Sequence, residues 1–277
     1  MSESVSSARA LSDLVTSDGV HLHYQDTGAG STLVFTAGWA MDASWWRNQL
    51  PLAASHRIVV LDPRSQGQSE KVVRGLRMGR QAADLRELLD TLDLRGVTLV
   101  AHSRSTSIAL AYWELFGAHR LSRLVLIGVT PSMSKREDWE WGYMMDPIAF
   151  QNLILDDHEA VVRQVINDLL LTAPPPEEME EMVRTTMLTP PLAGARMLED
   201  HGVIDWRDML DTITIPTLVC VGRFDRNAPL PAAEHVADSI PQGRLVVFEK
   251  SAHAPFYEEP EEFNRVLEEF LDQEARQ

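Results

Sequence analysis

The chain has 277 residues, of which 44% are hydrophobic, and this length and composition favour a single domain with one large core. Its formal net charge of −16 disfavours nucleic acid and anionic membrane surfaces as partners, because both carry charge of the same sign. The single cysteine, Cys220, excludes an intrachain disulfide, and no Cys or His pattern indicates a metal, so we expect neither a metal nor a cofactor.

The N-terminal residues 1–12 are predicted to be flexible. Residues 1–10 are rich in serine and lack the apolar stretch of a secretory signal. No later apolar run approaches the roughly 20 residues that a membrane span requires. We therefore expect a cytoplasmic protein that does not bind membranes.

The next part of the chain alternates the patterns of strands and helices. Amphipathic helices are predicted at 45–54 and 79–92, because apolar residues recur there at helical spacing, and the polar loop 62–69 separates them. Short apolar or alternating runs that end in turns predict strands at 20–25, 33–36 and 58–61.

The stretch 97–112 reads as an apolar strand, a polar turn centred on Ser103 and a helix. A strand that runs directly into a helix with a hydroxyl at the corner is typical of a nucleophile elbow, which holds the serine oxygen above the sheet. That motif has glycine two residues before and two after the serine, where this chain has Ala101 and Ser105. Taken alone, the stretch favours a buried serine at an ordinary turn.

The second half of the chain contains a long interruption of the strand pattern. After a strand at 124–127, no strand signal occurs over residues 132–206, which are predicted to hold helices at 157–171 and 177–187. We interpret this segment as a helical cap, since long insertions in α/β enzymes are often active-site lids. Strands and helices then resume at 217–221, 232–239, 245–248 and 261–271. The alternation predicts an α/β fold with a mostly parallel sheet and flanking helices.

Four features follow predicted strands, at the edge where ligands bind in open parallel sheets: Gly38-Trp39, Ser103, Asp225 and His253. A serine hydroxyl becomes an effective nucleophile when an imidazole accepts its proton, so His253 is predicted to be the base. Asp225 would orient that imidazole and stabilise its charged form. The backbone N–H groups of Trp39 and Arg104 are predicted to stabilise the oxyanion, by about 2.7–4 kcal/mol per donor.

With these residues the sequence resembles the α/β-hydrolase superfamily from about Val20 to Leu271. Residues 222–225 are similar to the family's acid turn, and residues 252–263 to its histidine-to-final-helix run. Residues 62–69 resemble its D-x-R-G-x-G-x-S loop, and Gly38-Trp39 stands where its H-G-[aromatic] oxyanion loop belongs. The most similar subgroup contains small-ester hydrolases and cofactor-free haloperoxidases, which are serine perhydrolases. The resemblance implies a serine hydrolase that cleaves carboxylic esters or lactones through an acyl-enzyme.

The sequence departs from the family's pattern at Ala37, Ser65-Gln66, Ala101 and Ser105. Arg104, directly after the proposed nucleophile, has two open roles. A structural ion pair with a cap carboxylate is favoured over contact with an anionic substrate. His102 is interpreted as a packing and hydrogen-bonding residue, and His201 as a surface residue or one outside the site's direct contacts.

Several large cap residues have two interpretations. Such residues are usually ordinary core, but a cap must present a face to the cleft, and some of them should line an apolar pocket. We expect a small apolar or aromatic ester-like substrate. The residues assigned to this pocket are Trp139, Trp141, Met144, Met145 and Phe150.

Two other functions stay open on the same fold. A cofactor-free oxygenase would use His253 to deprotonate an aromatic substrate, and a non-hydrolytic lyase, cyclase or binding protein would keep the fold without hydrolysis. The resemblance to such oxygenases requires an acid after the preceding strand, and Gly128–Thr130 supply none. The position of Asp225 therefore favours the hydrolase, and the oligomeric state stays open.

Overall fold

A single eight-stranded sheet forms the centre of the computed structural model, which describes residues 10–142 and 146–272. Its strands are β1 (Ala10–Val15), β2 (His21–Gly28), β3 (Ser31–Thr36), β4 (His56–Leu61), β5 (Val97–His102), β6 (Leu121–Ile127), β7 (Thr217–Gly222) and β8 (Gly243–Phe248). They lie in the order β1-β2-β4-β3-β5-β6-β7-β8. The pairs β1–β2 and β2–β4 are antiparallel and the other five pairs are parallel, so the predicted α/β fold with a mostly parallel sheet is confirmed.

Helices cover both faces of the sheet. The α-helices are α1 (Met78–Thr91), α2 (Arg104–Phe116), α3 (Pro147–Asp156), α4 (His158–Leu169), α5 (Pro176–Thr186), α6 (Pro191–Arg196), α7 (Leu230–Ser239), α8 (Pro255–Glu258) and α9 (Pro260–Asp272). Two 3₁₀ helices span Ala43–Ala54 and Arg207–Thr212. Over residues 10–142 and 146–272, no helix is both long enough and apolar enough to cross a membrane.

Alternating side chains of the central strands build two cores, one on each face of the sheet. In β3, Leu33 and Phe35 join one hydrophobic cluster while Val34 joins the other. Strands β5 and β7 are buried at every residue, as expected for strands that are covered by helices on both faces. A ligand can therefore meet these strands only at their ends.

Strand β1 corrects the prediction of a flexible segment through residue 12. Residues 10–12 pair with Tyr24, Gln25 and Asp26 of β2, and residues 1–9 lie outside the described part of the chain. The strand was missed because it lies at the sheet edge, where Leu14 is buried while Asp13 and Val15 are exposed. An edge strand of this kind carries a weak apolar signal.

The helix predicted at 45–54 is a 3₁₀ helix that begins at Ala43. Its N terminus is capped by Asp42, whose carboxylate accepts the Ser44 N–H at 3.1 Å. Pro51 lies inside it and lacks the N–H that an α-helix would need. Five of its side chains are buried, and four of them lie three residues apart, which matches the 3.0 residues per turn of this helix type: Ala43, Trp46, Gln49 and Leu52.

The insertion predicted at 132–206 carries helices α3 to α6, and none of its described residues belongs to a strand of the sheet. Helices α4 and α5 match the predicted helices at 157–171 and 177–187 within two residues at each end. Helix α3 was not predicted. It begins at a local signal, because Asp146 accepts the N–H groups of Ile148 and Ala149 at 2.9 and 3.0 Å.

Candidate active site

Ser103 lies at the corner where β5 ends and α2 begins. Its backbone has φ 54° and ψ −125°, a conformation that costs a residue with a side chain about 1–3 kcal/mol. The Ser103 N–H donates to the Ile127 carbonyl of β6 at 2.8 Å. Its carbonyl accepts the N–H and the hydroxyl of Thr106 at 2.8 and 2.6 Å. These bonds hold the turn in its strained form and present the serine side chain at the end of the sheet.

His253 and Asp225 follow β8 and β7 and reach the same corner. The Nε2 atom of His253 lies 2.9 Å from Ser103 Oγ, and its Nδ1 atom lies 2.7 Å from Asp225 Oδ2. The other carboxylate oxygen, Oδ1, accepts the N–H groups of Asn227 and Ala228 at 2.8 and 2.9 Å. The carboxylate is thereby fixed with Oδ2 free for the imidazole, and the three predicted side chains form one hydrogen-bonded chain.

The loop that carries His253 packs closely against Gly128 and is hydrogen-bonded to Glu258. Gly128 has φ +59°, and a Cβ atom there would lie 2.6 Å from His253 Cε1, so only glycine lets the imidazole take this place. Glu258 accepts the N–H groups of Ala252 and Leu171 at 2.8 and 2.6 Å. This carboxylate therefore joins the histidine loop to the insertion, and its burial raises its own pKa.

His102 contacts the backbone of the loop that carries His253. Its Nε2 atom lies 3.0 Å from the His253 carbonyl oxygen, and its ring stands 4.8 Å from that of Phe256, centroid to centroid. Burial, and then the neighbouring His253, holds the pKa of His102 well below its usual range. The ring is therefore neutral at pH 7 and serves as a donor to the backbone that carries His253.

Residues that depart from the resembled family's pattern form hydrogen bonds that hold the turns in place. The Ser105 hydroxyl donates to the Ala37 carbonyl at 2.5 Å and so ties α2 to the loop after β3. The Gln66 side-chain amide donates to the carbonyls of Gly38 and Met41 at 2.9 and 2.7 Å. Ser105 and Gln66 therefore both fix the loop after β3.

A cavity of about 510 Å³ opens beside Ser103, between the end of the sheet and helices α3 and α4. This volume suits a small organic molecule. Two carboxylates, Asp146 and Asp168, also line it. The remaining lining is largely apolar and includes Trp39, Met41, Met133, Phe150, Val165 and Leu169.

The sequence model of the alpha/beta hydrolase fold matches residues 31–260. This chain belongs to the alpha/beta hydrolase family. The non-heme chloroperoxidase CPO-A1 of Kitasatospora aureofaciens is 31% identical to it over 269 residues, which cover 93% of this hydrolase and 98% of that protein.

Solved structures agree with the assignment of this chain to the alpha/beta hydrolase family. The esterase EaEST from Exiguobacterium antarcticum superposes with a TM-score of 0.88 at 26% identity and covers 94% of this chain and 99% of its own. A bromoperoxidase from Bacillus anthracis has a TM-score of 0.89 at 23% identity, with 96% and 100% covered. The latter likeness shows the shared fold.

The cavity of this hydrolase corrects part of the predicted pocket. Phe150 lines it, as predicted, but Trp139 and Trp141 do not. Those two indoles pack on each other with ring centroids 4.8 Å apart, and Trp139 also packs against α7. Their aromatic character therefore serves packing between the insertion and the hydrolase core. Met144 and Met145 lie outside the described residues.

The prediction that Arg104 forms an ion pair with a carboxylate of the insertion is wrong. The side chain is 1% exposed and donates to two carbonyls, Met197 O and Leu76 O at 2.9 Å each, and to the Gln81 amide oxygen at 3.2 Å. Among the described residues it forms no salt bridge, and all three of its hydrogen bonds go to neutral oxygens. Burial lowers its pKa to about 10, against the attraction of nearby Asp200.

His201 is a site residue that the sequence did not reveal. It lines the large cavity together with Ser103, although it is 6% exposed. Burial, and then the charge of Arg104, holds its pKa well below the usual range, so the imidazole is neutral at pH 7. No motif surrounds it, and only the folding of the insertion over the sheet brings it to the hydrolase site.

Proposed function

We propose that this protein hydrolyses carboxylic esters or lactones through an acyl-enzyme intermediate on Ser103. The observation that carries the proposal is the hydrogen-bonded chain of Ser103, His253 and Asp225 beside a largely apolar cavity. The name of the solved esterase relative agrees with it. The reaction needs no metal and no cofactor.

In the acylation step the Ser103 hydroxyl attacks the substrate carbonyl carbon while His253 Nε2 accepts the hydroxyl proton. Asp225 keeps the Nδ1–H tautomer and stabilises the imidazolium that forms. When the tetrahedral intermediate collapses, the bond to the leaving alkoxide breaks. His253 then returns the proton to that oxygen, and the acyl group remains on Ser103.

The backbone N–H groups of Trp39 and Arg104 are the proposed oxyanion donors. Arg104 is the first residue of α2, so its N–H has no intrahelical acceptor. Neither N–H donates to a protein acceptor within residues 10–142 and 146–272. Each such donor stabilises the tetrahedral intermediate by about 2.7–4 kcal/mol.

A second, smaller cavity supports the deacylation step. Its volume is about 10 Å³, and it is lined by Ser103 and His253 together with the polar residues Thr130, His201 and Asn227. A cavity of this size holds about one water molecule. Water placed there would give its proton to His253 while its oxygen attacks the acyl carbon, and Ser103 Oγ would leave and regain a proton.

The lining of the large cavity favours a small neutral substrate with an apolar or aromatic group. Its two carboxylates, Asp146 and Asp168, repel an anionic tail. Arg104, the one positively charged side chain among the described lining residues, is already engaged with backbone carbonyls and an amide. An anionic substrate would therefore find no free cation among the described lining residues.

A panel of p-nitrophenyl esters and lactones tests the proposal with wild type, Ser103→Ala and His253→Ala. We expect wild type to turn over short apolar esters and each variant to lose at least about 10³-fold in kcat, as triad members do. Ser55→Ala, at an exposed serine, is the matched control and keeps full activity. Hydrolysis that persists in Ser103→Ala contradicts the proposal. Oxygen uptake with a hydroxyquinolone, without ester hydrolysis, would instead support the oxygenase alternative.

A further inference from the structure

Helix α6 contacts both residues that we propose as oxyanion donors. The indole Nε1–H of Trp39 donates to the Gly194 carbonyl at 2.8 Å, and Arg104 Nε–H donates to the Met197 carbonyl at 2.9 Å. Trp39 follows β3, whereas Arg104 follows β5. Two separate turns of the sheet edge therefore meet one short helix of the insertion.

The end of α6 needs such donors. The last carbonyls of an α-helix have no intrahelical partner and must be satisfied from elsewhere. The Met197 N–H donates to the Ala193 carbonyl, and the Leu198 N–H to the Ala195 carbonyl, at 3.0 and 3.1 Å. The Gly194 and Met197 carbonyls receive the two side chains instead.

The contact between α6 and the two turns is closely packed and buried from solvent. A Cβ atom on Gly194 would lie 3.1 Å from Trp39 Cζ2, so the glycine lets the indole approach the helix. Trp39 is 8% exposed and Arg104 is 1% exposed. Hydrogen bonds in such surroundings are stronger than in water and hold their partners in one geometry.

We propose that α6 positions the oxyanion hole, with the side chains of Trp39 and Arg104 acting as positioning residues for their own backbone N–H groups. This inference rests on the proposed function. An oxyanion donor must lie about 2.7–3.1 Å from the oxyanion to act. The loop after β3 also contains Ala40 at φ 57°, a conformation that needs outside support. Without the α6 contacts the two N–H donors are no longer held at hydrogen-bonding distance from the oxyanion. The transition state then loses more stabilisation than the ground state does.

Trp39→Phe tests the inference, because it removes the Nε1–H and keeps an aromatic ring against Gly194. We expect kcat on p-nitrophenyl acetate to fall about 5- to 30-fold, less than the 10²–10³ for a donor removed outright, with KM within about twofold. The affinity for phenylboronic acid, which forms a tetrahedral adduct on the serine, falls in proportion. Arg104→Lys is the second variant and gives the same pattern.

Trp206→Phe is the matched control. Trp206 is 3% exposed, and its Nε1 has no hydrogen-bond partner among the described residues, so its loss changes packing alone. Equal losses of kcat in the control and in Trp39→Phe overturn the inference. So does a Trp39→Phe enzyme with unchanged kcat and unchanged boronic-acid affinity, if Ser103→Ala is inactive. Full activity of Ser103→Ala overturns the proposed function instead.

Discussion

Single residues fix the hydrogen-bond geometry of the candidate site. Asp225 divides its two oxygens between backbone donors and His253, so the position of each carboxylate oxygen is fixed. The carboxylate in turn selects the imidazole tautomer whose Nε2 accepts from Ser103. Replacing one carboxylate oxygen of Asp225 is therefore expected to lower the reactivity of the Ser103 hydroxyl.

Asp225→Asn is predicted to lower kcat by about 10⁴-fold with little change in fold. The backbone N–H groups of Asn227 and Ala228 hold an oxygen at the Oδ1 position, so the new NH₂ group faces His253 Nδ1. The imidazole then carries its proton on Nε2 and cannot accept from Ser103. Steady-state kinetics beside circular dichroism checks this, and a loss below tenfold would contradict it.

Gly128→Ala is predicted to impair the site through His253 rather than through substrate binding. The added Cβ would lie 2.6 Å from the imidazole Cε1, and the positive φ adds about 1–3 kcal/mol of strain. We expect at least a tenfold loss of kcat and a lower free energy of unfolding. Gly96→Ala is the control, because it has φ +62° but no atom within 4 Å of the new Cβ. Equal losses of kcat in both variants would contradict the role of the imidazole contact.

Residue type alone did not predict the contacts of Arg104 or the position of His201. The charge of Arg104 suggested a carboxylate partner, whereas the folded chain offers carbonyls at the end of α6 and in the loop before α1. His201 carries no spacing signal, because its place depends on how the insertion packs over the sheet. Ser103, Asp225 and His253 could be proposed from the sequence because each lies within five residues of the end of an apolar strand.

At the scale of elements, buried carboxylates join the ends of strands to the helices that follow. Asp62, at the end of β4, accepts the N–H groups of Ala43 and Gln68 at 2.8 Å each. Burial, and then the charge of Asp42 against these two bonds, raises the pKa of Asp62 to about 6. The loop after β4 and the start of the 3₁₀ helix thus share one titratable group.

Stability should depend on pH through Asp62. Its folded pKa lies above the unfolded value of about 3.9, so the protonated form favours folding, and this contribution is lost as pH rises from about 4 through 6. The shift corresponds to about 3 kcal/mol. Urea unfolding of wild type and Asp62→Asn between pH 4 and 7.5 measures it. We expect wild type to lose stability relative to the variant over this range, and parallel curves would contradict the assignment.

A buried ion pair joins the loop after β4 to α1. Arg64 donates Nε–H and Nη2–H to the two oxygens of Asp84 at 2.6 Å each, and the Arg64 side chain is fully buried. Asp84→Asn removes the more buried of the two carboxylates that pair with this guanidinium, since Asp18 also accepts from it at 3.0 and 3.1 Å. The loss of the charged hydrogen bonds to Asp84 is predicted to cost about 1.5–3 kcal/mol. Glu249→Gln, at a pair exposed to solvent with Arg223, should cost at most about 1 kcal/mol. Similar unfolding free energies for both variants would contradict the burial argument.

Elements with strong local signals were predicted well, and those fixed by packing were not. The buried strands β5 and β7 and helices α4 and α5 show in the sequence as apolar runs and helical spacing. Strand β1 is an edge strand with one buried side chain among Asp13 to Val15. The 3₁₀ helix has a period of three that an α-helical pattern approximates, so its type was decided by Pro51 and by the packing.

For the whole molecule, the parallel order of strands explains why residues distant in sequence share one site. Ser103 and His253 are 150 positions apart, yet both follow parallel strands whose carboxyl ends lie at one edge. The insertion between β6 and β7 then closes that edge and supplies most of the apolar lining. The sequence could predict the edge, but not the side chains that the insertion turns toward it.

The proposed function requires Ser103 to be the nucleophile of an acyl-enzyme mechanism. Intact-protein mass spectrometry after treatment with a fluorophosphonate tests it most directly, in wild type, Ser103→Ala and Ser55→Ala. We expect one adduct per chain in wild type and in Ser55→Ala, and none in Ser103→Ala. A wild-type protein that stays unlabelled, or a Ser103→Ala protein that is still labelled, would contradict it.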